Sequence, residues 1–363
     1  MTRRKGPPKD VPVPETRNRP ISLKDLAEHL SLSSATVSIV INRKPLSDMI
    51  PEYTKQRIWD AARHFNYRPN IIARSLRQQR TFSVGVLLPE FSDGYSASVL
   101  SGIEDYLLQK GYAWLAASHR HKQDLIHEYP HLLYTRAVEG LITVDTPYQE
   151  DLPFPVVSVS GHKHVDGVTN IVLNHERAAE LAIGHLHQLG HRKIAFLKGQ
   201  SFSSDTAVRW QSIRKVCKRL AIEVDPSLTA QLEGISPSPE LGYAATKKIL
   251  ATGAPFTALF AFNDISAIGA IRAMQDSGLH VPVDVSVVGF DDIYGAAFHI
   301  PALTTIRQPL VKMGSLAAET LIARIASEEK RSDVVEVEPE LIVRESTGVP
   351  RTVIKGRAIS AHS

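Results

Sequence analysis

Residues 21–42 read ISLKDLAEHLSLSSATVSIVIN, and this stretch predicts two short helices joined by a tight turn. Ser22 suits the N-cap of the first helix, because Asp25 stands three residues later as in a capping box. Ser33 suits the N-cap of the second helix, which we expect to run from Ser34 to Asn42. Apolar residues recur at helical spacing through both segments, so each helix has one face to bury.

The segments on either side of this pair complete an N-terminal domain. A third helix is predicted from Pro51 to about Asn66, since proline is tolerated in the first turn of a helix. Three short helices with a tight second turn are typical of a helix-turn-helix headpiece, here residues 21–67. Residues 1–20 are rich in proline and charge and are predicted to be a disordered basic arm.

Charge is divided unevenly along the 363 residues. Residues 1–80 hold 16 of the 42 Lys and Arg but only 7 of the 38 Asp and Glu. The remaining 283 residues hold 26 basic against 31 acidic side chains, so a basic head precedes an acidic body. This distribution favours a nucleic acid as the partner of the head, the alternative being a solvated basic tail without a partner.

Beyond Thr81, short β-branched runs alternate with amphipathic helices, which predicts an α/β domain with parallel sheets. About nine strands are more than a single sheet usually contains, so we expect two lobes over residues 81–350. A ligand cleft is then expected at the carboxyl ends of the strands. Residues 351–363 remain as a tail. The predicted strands are Ser83–Leu88, Trp114–Ala117, Leu141–Val144, Val156–Val159, Ile194–Leu197, Ala258–Phe262 and Val285–Phe290.

The second helix of the headpiece carries the side chains that suit DNA contact, because a recognition helix presents its N-terminal residues to base edges. Thr36 and Ser38 suit phosphate contacts, whereas Ala35 and Ile39 suit the methyl groups of thymine. The residues expected to be exposed on this helix are Ser34, Ala35, Ser38, Ile39 and Asn42, with Val37, Val40 and Ile41 packed inward.

Several segments resemble the LacI/GalR family of transcription regulators. Residues 33–42 are similar to its recognition helix, and residues 66–76 (NYRPNIIARSL) to the segment that precedes and forms its hinge helix. The likeness continues through Val287–Asp292 (VVGFDD) and Pro301–Pro309 (PALTTIRQP) and covers about residues 21–350. It implies an all-α helix-turn-helix headpiece followed by a two-lobed α/β core like a type I periplasmic binding protein.

The resemblance also implies how the head binds its operator. Residues 68–80 are expected to form a hinge helix in the minor groove, where Leu76 wedges into the central base step; the alternative for Leu76 is an ordinary core leucine. The family often carries Arg where this chain has Ile39, so one guanine contact is expected to be missing. The predicted DNA-contacting residues are Ser22, Ser34, Ala35, Thr36, Ser38, Ile39, Asn42, Asn70, Ala73 and Leu76.

A small-molecule effector is expected in the cleft. Asn263 and Asp291 each follow an apolar strand, and an Arg, an Asn and an Asp converging there suit a ligand with several hydroxyl or amide groups. The local alternatives are a turn former for Asn263 and a helix cap for Asp291. By resemblance, the predicted effector-binding residues are Tyr95, Ser160, Asp205, Arg209, Asn263, Asp291 and Gln308. The family commonly has Asp-Asn where this chain has Asn174-His175.

These features together predict a sequence-specific DNA-binding repressor that acts as a homodimer on double-stranded operator DNA and is controlled by a small molecule, with a sugar or sugar derivative favoured. The alternatives are a purine or nucleoside effector, or a solute-binding protein without a DNA function.

Enzymatic activity, metals and cofactors have no support in the sequence. There is no phosphate-binding loop and no Gly-x-Ser-x-Gly motif, so we expect no catalysis. His162 and His164 lie in a predicted loop without a clear third ligand, so we expect no metal site and no cofactor. With one cysteine, Cys217, no signal peptide and no apolar run long enough to span a bilayer, we expect a cytoplasmic protein.

Overall fold

A computed structural model describes residues 21–42, 45–68, 75, 79–91, 94–147, 152–327 and 333–351. Contacts between residues divide the chain into two units, 1–81 and 82–363. The first unit contains α1 (Leu23–Leu30), α2 (Ser34–Ile41), a short 3-10 helix (Pro45–Met49) and α3 (Glu52–His64). The apolar faces of these helices meet in one small core that includes Leu26, Val37 and Ile58.

Both predicted N-caps of the headpiece are confirmed. The Ser22 hydroxyl accepts a hydrogen bond from the Asp25 N–H, and the Asp25 carboxylate accepts one from the Ser22 N–H, which completes a capping box. The Ser33 hydroxyl accepts a hydrogen bond from the Thr36 N–H at 3.0 Å. Each cap pairs a backbone donor that the first helical turn leaves without a partner, and so fixes where α1 and α2 begin.

The second unit consists of two lobes, each built on a six-stranded sheet. In lobe one the strand order is β11-β5-β4-β3-β1-β2 and every pairing is parallel. Its strands are β1 (Ser83–Leu88), β2 (Ala113–Ser118), β3 (Leu141–Val144), β4 (Val156–Val159), β5 (Val168–Leu173) and β11 (Val334–Val337). Its helices are α4 (Gly94–Gln109), α5 (Gln123–Thr135) and α11 (Leu310–Ser327).

Lobe two has the strand order β12-β10-β9-β8-β6-β7, parallel except that β12 runs antiparallel to β10. Its strands are β6 (Ile194–Lys198), β7 (Thr229–Gln231), β8 (Ala258–Phe260), β9 (Ser286–Asp291), β10 (Thr304–Arg307) and β12 (Glu340–Ile342). Its helices are α6 (His175–Gln188), α7 (Ser204–Arg219), α8 (Pro239–Ala251), α9 (Asp264–Gln275) and α10 (Tyr294–Phe298), with a 3-10 turn at Pro226–Leu228.

The central strands are buried on both faces, which is what parallel sheets covered by helices require. All four residues of β3 and all six of β9 are buried. The chain passes between the lobes three times, from β5 to α6, from β10 to α11 and from β11 to β12. Neither lobe is therefore a continuous segment of the sequence.

Glycines let one pair of helices cross at close range in each lobe. In lobe one, a Cβ added to Gly102 of α4 would overlap the carbonyl oxygen of Val311, and one on Gly314 of α11 would overlap that of Val99. In lobe two, Gly269 of α9 lies in the same way against the backbone of Pro239 at the start of α8. No larger side chain fits these crossings without moving a helix.

We predict that Cys217 does not react with a thiol reagent in the folded protein. Its sulfur is fully buried in the core, and burial raises the pKa of the thiol to about 12. Because the thiolate is the reactive species, Ellman's reagent should label the chain only after unfolding in guanidinium. Rapid labelling without denaturant would contradict the packing described here.

Among the helices that the structure describes, none is both long and apolar enough to cross a bilayer.

Candidate functional site

The N-terminal half of α2 carries most of the exposed surface predicted for DNA contact. Ser34 and Ala35 are exposed, and Thr36, Ile39 and Asn42 are partly exposed. Ser22 is exposed at the start of α1, with its hydroxyl engaged by Asp25. The other predicted DNA-contacting residues, Asn70, Ala73 and Leu76, lie outside the residues that the structure describes.

Ser38 was expected on the exposed face of α2, and this prediction is wrong. Ser38 is buried, because the Asn42 side chain one turn later folds back over it. The Asn42 amide nitrogen donates to the Ser38 carbonyl at 2.7 Å and to its hydroxyl at 3.2 Å. The Asn42 side chain therefore shields Ser38 from solvent at the end of α2.

A cleft lies between the two lobes of the second unit, at the carboxyl ends of their strands. Five of the seven predicted effector-binding residues line it: Tyr95, Asp205, Arg209, Asn263 and Asp291. The other two lie directly behind this lining. The Ser160 hydroxyl is 2.7 Å from the Tyr95 hydroxyl, and the Gln308 amide donates to Asp291 Oδ1 at 2.7 Å.

Arg209 is the most constrained side chain of the cleft. Its guanidinium carbon lies 3.6 Å from the ring centre of Phe290 and 4.3 Å from that of Phe262. One terminal nitrogen donates to Asp205 Oδ2 at 2.9 Å, and the other donates to the carbonyl of Phe262 at 2.5 Å. With 3% of its surface exposed, Arg209 is a buried cation held by two aromatic faces and one carboxylate.

Two acidic groups beside Arg209 have raised pKa values. Burial raises the pKa of Asp291 well above the usual range of a carboxyl group, although Arg209 opposes the shift. Burial also raises the pKa of Tyr95, and the negative charges of Asp205 and Asp145 raise it further. Asp291 adopts a φ of 109° at the end of β9, and such strained backbone is often found where a side chain is aimed into a site.

The local alternatives for two residues were a turn former for Asn263 and a helix cap for Asp291. Asn263 is instead the residue that caps a helix: its side-chain oxygen accepts a hydrogen bond from the Ser266 N–H at the start of α9, at 3.0 Å. Asp291 caps no helix, because Ile293 occupies the N-cap of α10. Asn263 thus has a structural role as well as a place in the cleft.

Contacts across the cleft also involve residues that the sequence analysis did not assign to it. The Ser204 hydroxyl of lobe two donates to Asp145 Oδ1 of lobe one at 2.9 Å, and the rings of His121 and Phe202 lie 4.0 Å apart. His162 Nε2 of lobe one is 2.5 Å from Asp205 Oδ1 of lobe two. Asp145 directly follows the apolar strand β3, the same signal that identified Asp291, so the sequence did contain a pointer to it.

Asp264 lies behind the cleft and should make the stability of the fold depend on pH. It accepts hydrogen bonds from the Thr305 hydroxyl at 2.6 Å and the Ile293 N–H at 2.9 Å, yet its burial raises its pKa to about 7. The folded state therefore holds a proton that the unfolded chain releases near pH 4, so stability is present at low pH and falls as pH rises through 7.

We expect the ionisation of Asp264 to lower the free energy of unfolding by about 1 kcal/mol between pH 6 and pH 8. Urea denaturation of the wild type and of Asp264→Asn at pH 6 and at pH 8 measures this change. The difference between the two proteins should fall on going to pH 8, because the amide does not titrate. An equal pH dependence in both would show that Asp264 is ionised throughout.

Comparisons with known proteins agree with this architecture. A family model described as a periplasmic binding protein-like domain matches residues 183–347. The HTH-type transcriptional repressor PurR of Yersinia pestis is 33% identical over 334 residues, which cover 90% of this chain and 96% of that protein.

Solved structures of the same kind superimpose on most of the chain. A lac repressor dimer bound to operator and the anti-inducer ONPF matches with a TM-score of 0.79 and 27% identity, covering 91% of this chain and all of that one. A complex of the transcriptional regulator CelR with cellobiose matches with a TM-score of 0.67 and 26% identity, covering 90% of this chain and 99% of that one. These relatives are transcriptional regulators.

Proposed function

This chain belongs to the LacI/GalR family of transcriptional regulators, and we propose that the effector controlling it is a neutral sugar or sugar derivative bound between the two lobes. On this proposal the protein binds operator DNA as a homodimer, in the cytoplasm, through α2 and a hinge helix within residues 68–80. A lone headpiece would read only one half-site of a pseudo-palindromic operator.

The charge of the cleft is the observation that supports a neutral polyol. Asp145 and Asp205 line it, and Arg209, the cation deep within the described lining, already donates to Asp205. Carboxylates accept hydrogen bonds from sugar hydroxyls and repel phosphates. The complex of the transcriptional regulator CelR with cellobiose provides a precedent for a sugar ligand in a similar protein.

The lobes must separate for such a ligand to reach the predicted residues, because the cavity lined by Tyr95, Arg209 and Asp291 has a volume of only about 60 Å³. A neighbouring cavity of about 390 Å³, lined by His162 and Ser204, also lies between the lobes. Hydrogen bonds such as Ser204–Asp145 and Ser236–Glu90 join the lobes. A ligand shifts DNA affinity only by its difference in affinity between two lobe arrangements, which is typically about 1–3 kcal/mol.

Selection of bound duplexes from a random pool tests the DNA function. We expect the full-length wild type to enrich a pseudo-palindrome, and Leu76→Ala to weaken the preference at its centre. If no sequence is enriched and binding merely follows the salt concentration, the basic head binds DNA without specificity and the operator proposal fails.

A thermal-shift screen tests the effector. Neutral mono- and disaccharides are expected to raise the melting temperature, whereas sugar phosphates and purine bases are not. Asp291→Ala should weaken the response to the active sugar by about 10-fold or more, as expected when a buried hydrogen-bonding group is removed. Asp276→Ala, at an exposed aspartate paired with Arg272, is the matched control. A response to purines or phosphates alone would overturn the sugar assignment.

A further inference from the structure

Two histidines and an aspartate converge beside the cleft from three separate elements. His162 lies in the loop after β4, His175 is the first residue of α6, and Asp205 is in the first turn of α7. One ligand atom from each lies within 4.8 Å of the others. His162 Nε2 is 2.5 Å and His175 Nε2 is 3.4 Å from the same oxygen, Asp205 Oδ1.

The imidazole of His175 is buried and poorly paired. Only 4% of the residue is exposed, Nε2 has only the long contact of 3.4 Å with Asp205 Oδ1, and neither ring nitrogen makes a hydrogen bond of good geometry among the described residues. The ring lies against Phe290, with the two planes 19° apart. A buried polar group left in this state costs about 1–3 kcal/mol, so its presence calls for a ligand that the protein atoms do not supply.

One of the two measured spacings and the surroundings of Asp205 fit a tetrahedral ion. Two ligands about 2.0–2.1 Å from a zinc ion stand about 3.4 Å apart, which is the separation of His175 Nε2 from Asp205 Oδ1. His162 Nε2 would have to withdraw by about 1 Å to match. Arg209 binds the other oxygen of Asp205, as an outer-shell partner that orients a ligating carboxylate does.

We propose that His162, His175 and Asp205 form a binding site for one divalent transition-metal ion, with zinc as the natural candidate and a water or the effector as a fourth ligand. His162 belongs to lobe one, whereas His175 and Asp205 belong to lobe two, so the ion joins the lobes across the cleft. The carboxylate of Asp145, which also lines the cleft, helps to balance the charge of the ion.

Cobalt titration of the untagged, full-length protein after treatment with a chelator tests the site. We expect the visible absorption of tetrahedral Co²⁺ to saturate at one equivalent. His162→Gln and His175→Gln should each weaken binding by more than about 100-fold, since even the loss of an outer-shell partner costs about 10–100-fold. The titration contains neither DNA nor sugar, so its outcome is independent of the regulatory proposal.

The matched control is His164→Gln. His164 lies two residues from His162 and pairs with Asp166 at 3.2 Å, but it is exposed and belongs to no cluster of three possible metal ligands among the described residues. It should bind Co²⁺ like the wild type. Circular dichroism establishes that each variant is folded. If His175→Gln does not fold, His162→Gln still tests the proposal, because His162 lies in a loop. No saturable absorption in the wild type, or equal affinity in all variants, would overturn the proposal.

Discussion

Replacing Arg209 with methionine is expected to lower the free energy of unfolding by about 3–5 kcal/mol and to abolish the response to the effector. Methionine keeps much of the apolar contact with Phe262 and Phe290 but removes the charge that faces Asp205. Breaking one side of a buried ion pair leaves the other charge buried and uncompensated, and this accounts for the size of the loss.

Arg219 on the same helix provides the matched control. Its guanidinium pairs with Glu180 at 2.9 Å, but about half of its side chain is exposed, so Arg219→Met should cost no more than about 1 kcal/mol. Urea denaturation at constant m-value gives both numbers. Arg209→Lys tests whether charge alone is enough, because lysine lacks the planar group that the two rings hold. Equal losses for Arg209→Met and Arg219→Met would contradict this account.

Gly102→Ala is expected to destabilise lobe one by about 3 kcal/mol or more. The added methyl group would occupy the position of the Val311 carbonyl oxygen, so α4 and α11 must move apart along their whole contact. Backbone atoms on rigid helices have no alternative rotamer to adopt, which makes this more costly than overpacking against a side chain.

Gly184→Ala is the matched control for that substitution. Gly184 lies within α6, and a Cβ there meets nothing within 4 Å. Alanine should therefore stabilise the protein by about 0.5–1 kcal/mol, since it gains helix propensity without a clash. Thermal or urea unfolding compares the two variants. If Gly102→Ala also stabilises the protein, the close crossing of α4 and α11 is wrong.

The strand bounds were predicted most closely where an apolar run is buried. β1, β3 and β4 have the bounds predicted from the sequence, because their residues are buried on both faces. β5 was missed although all six residues are buried, since Thr169 and Asn170 interrupt its apolar pattern. The strands β7 and β12, at the edges of their sheet, are short and half exposed, so they leave little apolar signal.

The cleft was predicted in part for a related reason. A polar residue that directly follows a buried strand points to the edge of the sheet, and this rule identified Asp291 but was not applied to Asp145. The pairing of His162, His175 and Asp205 was out of reach, because they come from three elements with no shared local spacing. Ser38 was misjudged because helical spacing alone does not reveal a neighbouring side chain that folds over it.

The threefold passage of the chain between the lobes also sets the order in which the protein can fold during synthesis. The strand β5 ends at Leu173, but α11, which covers the same sheet, ends at Ser327, 154 residues later. At about 5–20 residues per second, a ribosome takes roughly 10–30 s to supply them. During that interval the nascent first lobe has an open strand edge and an uncovered apolar face, the features that invite aggregation and chaperone binding. A nonsense mutation at any codon before 310 therefore removes part of both lobes at once.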